Sequence, residues 1–186
     1  WSSSEIDRTY DIAGIAYEDL NLESSQGLDF TETIKGAKSP GYYQWIQDNQ
    51  WIFEKYDYIG LFDDDIQANT FTLNALFEYT KTLNLSVSQP ALTSDSWSGL
   101  LITKQHRSFV HRWTNFAEIM CPIFSSETLQ ECSEGFKYHD GGGGCTEAYW
   151  LAKCCPVLGK IAIIDALPVK HTRQSGLEGS GFVIRV

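Results

Sequence analysis

The sequence has few basic residues for its length of 186. It contains 14 lysines and arginines against 24 aspartates and glutamates, which gives a net charge of −10. Proteins that bind nucleic acid need a basic surface to contact phosphates, and these basic residues are scattered, so no nucleic-acid partner is expected. An acidic protein that handles a phosphorylated substrate needs local positive charge, and a bound divalent cation can supply it.

Long apolar runs are also missing. No stretch reaches the roughly 18–20 apolar residues that cross a bilayer, so the sequence predicts no membrane span within this chain. No amino-terminal signal segment is visible, but the chain opens at Trp1 rather than at methionine. The sequence therefore leaves open a preceding anchor or signal, and with it the compartment.

Cysteine is present five times, and an odd count in a chain of this length does not indicate a disulfide framework. No pair has zinc-finger spacing. Cys154 and Cys155 fall on the predicted inner face of a helix and are interpreted as buried thiols, while one bridge among the five cysteines remains open.

Strand and helix patterns alternate along the first half of the chain. Tyr10–Tyr17, Tyr56–Phe62 and Leu85–Ser88 have the short apolar pattern of buried strands, and the last is expected to stop at Gln89-Pro90. Two amphipathic helices are predicted between them, one from Ser39 to about Lys55 and one beginning at Thr70. Residues 18–38 are interpreted as a loop. Strands joined by helices predict a layered α/β domain whose sheet is mainly parallel.

The second half has a less regular pattern. Segments 109–113 and 117–124 are predicted strands, and Ser125 begins a helix. A run of glycines follows at 141–144, and a helix is expected from about Cys145 to Cys155, before Pro156. Segment 161–165 is the last predicted core strand. No domain linker is visible, so residues 1–186 are expected to form a single domain.

The acidic run Asp63-Asp64-Asp65 directly follows a predicted buried strand. Neighbouring carboxylates at the end of such a strand repel one another and lose hydration, which is costly without a counter-ion. Alternation along an extended chain places Asp63 and Asp65 on one side and Asp64 on the other. Asp63 and Asp65 are therefore predicted to share Mn²⁺ or Mg²⁺, cations that prefer oxygen ligands. The alternative is a solvated acidic turn.

The glycine run could let a ligand approach the backbone closely, and Gly142, Gly143 and Gly144 are candidate donor-binding positions. Glu147 follows at the start of the predicted helix and is a candidate general base, with Asp140 as the second choice. A flexible surface loop and a carboxylate that complements the helix end are the alternatives.

Three further residues are candidates. Glu118 is an acid in an apolar segment, so it could orient a sugar or an acceptor hydroxyl, or simply occupy a half-exposed strand position. Trp113 could stack on a sugar ring, although tryptophan commonly serves the core. His171 follows the last strand pattern and becomes a metal ligand if the fold brings it to the acidic run.

These residues, in this order, resemble the signature of GT-A glycosyltransferases: an Asp run after a strand, a glycine loop, an acid opening a helix and a late histidine. The chain also resembles the uncharacterised, glycosyltransferase-like DUF-707 family. That resemblance covers most of the stretch from about Tyr10 to His171. It is carried by Tyr56-Asp57-Tyr58-Ile59-Gly60-Leu61-Phe62-Asp63-Asp64-Asp65, Ser88-Gln89-Pro90-Ala91-Leu92 and Phe116–Ser125.

The resemblance implies a GT-A-like, Rossmann-like, three-layer α/β/α fold. It also implies a nucleotide-sugar donor, a hydroxyl acceptor such as a glycan, and Mn²⁺ or Mg²⁺ held by Asp63, Asp65 and His171. Asp64 and the glycines match donor-binding positions, Glu147 matches the catalytic acid, and Tyr17 and Asp19 are candidates for the nucleoside side. The family's Gly-Trp-Gly-x-Asp stretch is replaced here by Gly143-Gly144-Cys145-Thr146-Glu147. The first strand of the fold has no counterpart in this chain.

The expected function is therefore glycosyl transfer, with inversion favoured if Glu147 is the base. A non-catalytic carbohydrate- or metal-binding module is the alternative, since an acidic run and 13% aromatic residues would also suit a lectin-like site. A metal-dependent phosphohydrolase ranks last because such sites generally need more ligands around the acidic run.

Overall fold

A computed structural model describes residues 7–16, 27–137 and 160–174, together with the backbone of strand residues 181–185. The helix expected at 145–155 lies outside these ranges. Within them, four α-helices are α1 Lys38–Asp48, α2 Ile52–Lys55, α3 Thr70–Thr82 and α4 Ser126–Cys132. Nine strands in the same ranges are β1 Ile12–Ala16, β2 Phe30–Thr33, β3 Tyr58–Asp63, β4 Ile66–Gln67, β5 Val87–Leu92, β6 His111–Trp113, β7 Ile123–Ser125, β8 Ile161–His171 and β9 Gly181–Arg185.

The described strands form one mixed sheet in the order β2-β1-β9-β3-β7-β5-β8-β4, with β6 also paired to β8. The expectation of a mainly parallel sheet is wrong. Only the β1–β2 and β5–β8 pairs are parallel, and the other pairs are antiparallel. The fold is therefore a mixed α/β fold.

The error in the sheet has a physical cause. Strands β1, β3, β5 and β8 do point the same way, as helical connections between them require. Two antiparallel strands separate them, because β9 lies between β1 and β3, and β7 lies between β3 and β5. The tail that carries β9 is rich in glycine, and the sequence left it without a predicted element although Phe182, Val183 and Ile184 favour a strand.

Helices cover both faces of the sheet, in agreement with the expected layered arrangement. Alternate residues of β3 enter two separate cores: Ile59 and Leu61 enter one, and Phe62 enters the other. The first core contains buried residues of α1, α2 and α4, and the second contains Leu73 and Leu76 of α3. This two-sided burial fixes the register of β3.

Some predicted elements have different bounds. The first helix is divided, because the side chains of Asn49 and Gln50 donate to the carbonyls of Trp45 and Ile46 (2.9 and 2.6 Å) and end α1. Strand β5 continues through Pro90, which is tolerated because the ladder to β7 covers only Val87 and Ser88. Strand β2 lies in the segment interpreted as a loop.

The predicted helix starts are close to the observed ones. Asn69, rather than Thr70, caps α3, and its side chain accepts from the N–H of Thr72 at 2.8 Å. Ser125 caps α4 by accepting from the N–H of Thr128 at 3.2 Å.

Two cysteines lie in the described part of the chain. Cys132 is disulfide-bonded, so a bridge of the kind that the sequence left open exists, whereas Cys121 is a free, buried thiol. No helix among the described residues is long and apolar enough to cross a membrane.

Asp165 fixes the segment 104–112 against β8. Its side chain is fully buried and accepts from the backbone N–H of His106 at 2.6 Å and from Arg112 Nε at 2.8 Å. Arg112 Nη2 also donates to the carbonyl of Lys104 at 2.8 Å, and this hydrogen bond joins the two ends of the segment. A buried carboxylate is stable only with such compensation.

Replacing Arg112 with methionine should therefore lower the free energy of unfolding by about 3–5 kcal/mol, because it leaves Asp165 buried without its charged partner. Chemical denaturation measures this change. Arg107→Met is the matched control, since Arg107 is exposed on the same segment, and it should change stability by less than about 0.5 kcal/mol. Equal stabilities of the two variants would contradict the role given to Asp165.

Candidate metal centre

The acidic run occupies the carboxyl end of β3. Asp63 is the last residue of the strand, and Asp64 and Asp65 form the turn into β4. The N–H of Asp63 donates to the carbonyl of Met120 at 2.8 Å, so residues 118–122 run beside the end of β3. The three carboxylates are partly buried rather than spread into solvent.

Strand β8 brings His171 to this turn. His171 pairs with Ile66 in the β4–β8 ladder, and both the N–H and the hydroxyl of Thr172 donate to the carbonyl of Asp65, at 3.0 and 2.9 Å. The imidazole is buried. Its Nδ1 lies 2.7 Å from the carbonyl oxygen of Trp97. Its Nε2 lies 3.1 Å from Asp65 Oδ2.

This geometry fixes the chemistry of the imidazole. A carbonyl oxygen only accepts, so Nδ1 must carry a proton and donate to Trp97. In a neutral ring, Nε2 then carries a lone pair that faces Asp65 Oδ2, and this carboxylate oxygen is also an acceptor. Two acceptors at 3.1 Å require a positive species between them, either a proton on His171 or a bound cation. A second ring nitrogen held by a carbonyl is typical of metal-binding histidines.

One oxygen or nitrogen atom from each of Asp63, Asp65 and His171 lies within 4.8 Å of the others. Two carboxylate oxygens and an imidazole nitrogen suit Mn²⁺, and the carboxylates also suit Mg²⁺. The second carboxylate oxygen of Asp65, Oδ1, is buried and has no hydrogen-bond partner among the described residues. Such an atom is costly unless a ligand completes it, so the donor set fits a divalent cation.

Two basic side chains also contact the acidic run, and sequence reasoning missed both. Lys38, in the first turn of α1, forms an ion pair with Asp63 Oδ1 and donates to the carbonyl of Ile119 at 3.3 Å. Arg173 contacts Asp64 Oδ1 through Nη2 and lies 3.2 Å from Asp65 Oδ2 through Nε. The proximity of Arg173 to His171 in the sequence was the available signal, whereas Lys38 gave none.

The protonation of the cluster follows from these contacts. Burial raises the pKa of Asp63, although the positive charge of Lys38 opposes this effect. Burial alone would also raise the pKa of Asp65, but hydrogen bonds and charges from His171 and Arg173 lower it overall. The hydrogen bond to Asp65 raises the pKa of His171 above its ordinary value. The cluster therefore holds positive charge tightly even without a metal.

Glu118 lies near this cluster but not on a strand, so the strand predicted over 117–124 begins only at Ile123. The N–H of Glu118 donates to Gln89 Oε1 at 2.6 Å. Burial raises the pKa of the Cys121 thiol well above its ordinary value, and the charges of Glu118 and Asp63 raise it further. Both carboxylates therefore lie close to the same thiol.

Other predicted site residues are not brought to the cluster or lie outside the described residues. Trp113 is exposed and pairs with Ala162 of β8. His171 comes nine residues later on that strand. Because Ile164–Val169 of β8 run beside only Pro90–Leu92 of β5, this corresponds to about 20 Å along the strand. The predicted site residues that lie outside the described residues are Tyr17, Asp19, Asp140, Gly142, Gly143, Gly144 and Glu147.

Comparison with known families gives a match over most of the chain. A family model described as "Protein of unknown function (DUF707)" matches residues 49–183, which is more than half of the chain. The chain therefore belongs to the DUF707 family. No curated protein matches the sequence.

The ion pair between Lys38 and Asp63 should compete with a cation for the same carboxylate. Replacing Lys38 with methionine removes this competitor and its like charge, so Mn²⁺ should bind more tightly, by on the order of tenfold. Isothermal titration calorimetry measures the dissociation constant. Lys35→Met makes the same charge change at an exposed position three residues away and should leave the affinity nearly unchanged.

Weaker Mn²⁺ binding by Lys38→Met would mean that Lys38 supports the site rather than competing for it. An equal change in Mn²⁺ affinity in Lys38→Met and Lys35→Met would mean that the affinity depends on the net charge of the protein and not on the contact between Lys38 and Asp63.

Proposed function

We propose that this DUF707 protein is a glycosyltransferase that moves a sugar from a nucleoside-diphosphate donor to an acceptor hydroxyl. The observation that carries the proposal is the juxtaposition of Asp63, Asp65 and His171, whose ligand atoms lie within 4.8 Å at the carboxyl end of a buried strand. Asp63 and Asp65 form an Asp-x-Asp pair, and His171 comes from a distant strand. This combination resembles the metal site of GT-A glycosyltransferases, and we propose a GT-A-like fold on that basis.

In this proposal, Asp63, Asp65 and His171 hold Mn²⁺ or Mg²⁺. When bound, such a cation would offset the negative charge that develops on a departing nucleoside diphosphate. The fit is supported by the unpartnered Oδ1 of Asp65 and by the facing acceptor atoms of Asp65 and His171. Stabilising the leaving group is expected to be the largest catalytic contribution.

Lys38 and Arg173 are suited to binding the donor's diphosphate. Both already contact the carboxylates of the acidic run, so their charged groups lie at the place where the phosphates would bind. The guanidinium of Arg173 can contact two anionic oxygens at once, as it does here with Asp64 and Asp65. Asp64 holds this guanidinium and so contributes to the donor side indirectly.

The acceptor side would use Glu118 and Glu147. Glu118 lies near Asp63, beside Cys121, and its carboxylate could orient an acceptor hydroxyl. Glu147 is proposed as the general base, a role that rests on the family resemblance alone, with Asp140 as the second choice. A base that takes the acceptor's proton during direct displacement would give inversion at the sugar carbon.

The first test is a thermal-shift panel of nucleoside diphosphates with and without Mn²⁺, followed by assays of donor hydrolysis and transfer. One nucleotide should raise the melting temperature, because a ligand that binds the folded chain stabilises it. The rise should require Mn²⁺, because the cation would offset the negative charge of the diphosphate. Asp65→Asn should lower kcat/KM by at least about 100-fold, equivalent to about 2.7 kcal/mol of transition-state stabilisation.

Asp57→Asn is the matched control. Asp57 is an exposed carboxylate just before the amino end of β3, paired with Lys81 at 2.7 Å, and its variant should retain activity. Mn²⁺ binding without hydrolysis or transfer of any donor would instead identify a carbohydrate- or metal-binding module. Full activity of Asp65→Asn would refute the proposed metal centre.

The second test separates Glu118 from the metal centre. Glu118→Gln keeps the size of the side chain but removes its charge, so transfer should slow by about 10- to 100-fold if the carboxylate positions the acceptor. Mn²⁺ affinity should fall much less than the rate of transfer, by at most about threefold, because Glu118 lies near the cluster but is not a proposed metal ligand, and donor binding should change as little. A parallel loss of Mn²⁺ affinity would show that Glu118 serves the metal centre instead.

A further inference from the structure

Large apolar side chains are exposed in one short segment of the chain. Nine large hydrophobic residues are exposed among the described residues, and seven of these lie between Trp97 and Trp113. Leu101 is 89% exposed, and Val110 is 56% exposed. We define the apolar patch as Trp97, Leu100, Leu101, Ile102, Phe109 and Val110. Monomeric soluble proteins rarely expose such a concentration of apolar residues without a binding partner.

The exposure of the patch is fixed by the fold. Leu101–Thr103 form a 3₁₀ turn, in which the buried Thr103 donates to the carbonyl of Leu100 at 2.8 Å. The N–H of Gln105 then donates to the carbonyl of Leu92 in β5 at 2.8 Å. The carbonyl of Val110 accepts from the N–H of Ala166 in β8 at 3.0 Å. The apolar side chains therefore project from an anchored backbone.

The segment that carries the patch has the opposite charge to the whole protein. Segment 96–117 contains no aspartate or glutamate, although the chain has 24 of them and a net charge of −10. Lys104, Arg107 and Arg112 lie in this segment. The charge of Arg112 is neutralised by Asp165. Lys104 donates to the backbone carbonyls of Ser96 and Thr93, and Arg107 is exposed, so neither is paired with a carboxylate among the described residues.

We infer that the apolar patch binds the surface of an anionic lipid bilayer. Aliphatic side chains at the tip of a turn can enter the acyl boundary, tryptophan favours the headgroup level, and lysine and arginine contact anionic headgroups. A symmetric contact between two copies of the chain is disfavoured, because it would place these positive charges against each other. This inference does not depend on the proposed transferase activity.

The test uses the whole chain and two kinds of vesicle, one of phosphatidylcholine alone and one of phosphatidylcholine mixed with phosphatidylserine. The protein should float with the mixed vesicles and bind the neutral vesicles at least about tenfold more weakly. Leu101→Glu should reduce binding to the mixed vesicles by at least about tenfold. It should not disturb folding, because Leu101 is almost fully exposed.

Phe71→Glu is the matched control. Phe71 is 60% exposed on α3, outside the patch, and its variant should bind the mixed vesicles like the wild type. Arg107→Glu should weaken binding to the mixed vesicles and leave the weak binding to neutral vesicles unchanged. Failure of the wild type to float with the mixed vesicles would overturn the inference. So would a wild-type dimer that Leu101→Glu converts to monomer, since that result would identify the patch as a protein interface.

Discussion

The contact between His171 Nε2 and Asp65 Oδ2 is the constraint on which the candidate site depends. The carbonyl of Trp97 holds the proton of the imidazole at Nδ1, so the 3.1 Å contact at Nε2 is stable only when positive charge lies between the two atoms. A proton on Nε2 would meet this requirement, and the hydrogen bond to Asp65 accordingly raises the pKa of His171 above its ordinary value. A divalent cation would meet it equally well. The contact is therefore a preformed binding site for either a proton or a divalent cation.

This contact exists because β8 is long. Its first residues pair with β5 in the core, and its last residues reach past the sheet to pair with β4, immediately after the acidic turn. The hydrogen bonds from Thr172 to the carbonyl of Asp65 then fix the turn from the other side. The fold thus joins two segments more than a hundred residues apart in the chain. Their relative position is set mainly by backbone hydrogen bonds, which leaves the side chains free for chemistry.

The sequence predicted the parts of the site that depend on local pattern. Asp63 and Asp65 follow a run of apolar residues, so their place at the end of β3 could be read directly, and His171 was predicted as a ligand on the condition that the fold brought it there. Lys38 was missed because nothing local relates the first turn of α1 to the end of β3. The prediction of a mainly parallel sheet was wrong partly because β9, which pairs antiparallel to β1 and β3, lies in a glycine-rich tail. Its position depends on pairing with β1 and β3, which periodicity does not encode.

Lys38 and Arg173 give the acidic turn a charge balance that explains why three consecutive carboxylates can be partly buried in a protein of net charge −10. Trp97 connects the candidate metal centre to the apolar patch. Its carbonyl orients His171, and its side chain is half exposed on the protein surface. If the patch rests on a bilayer, the loop that orients the proposed metal ligand is held at the bilayer surface. In the proposed transfer reaction, a hydroxyl acceptor carried by a membrane component would then approach the protein near the loop whose carbonyl holds His171.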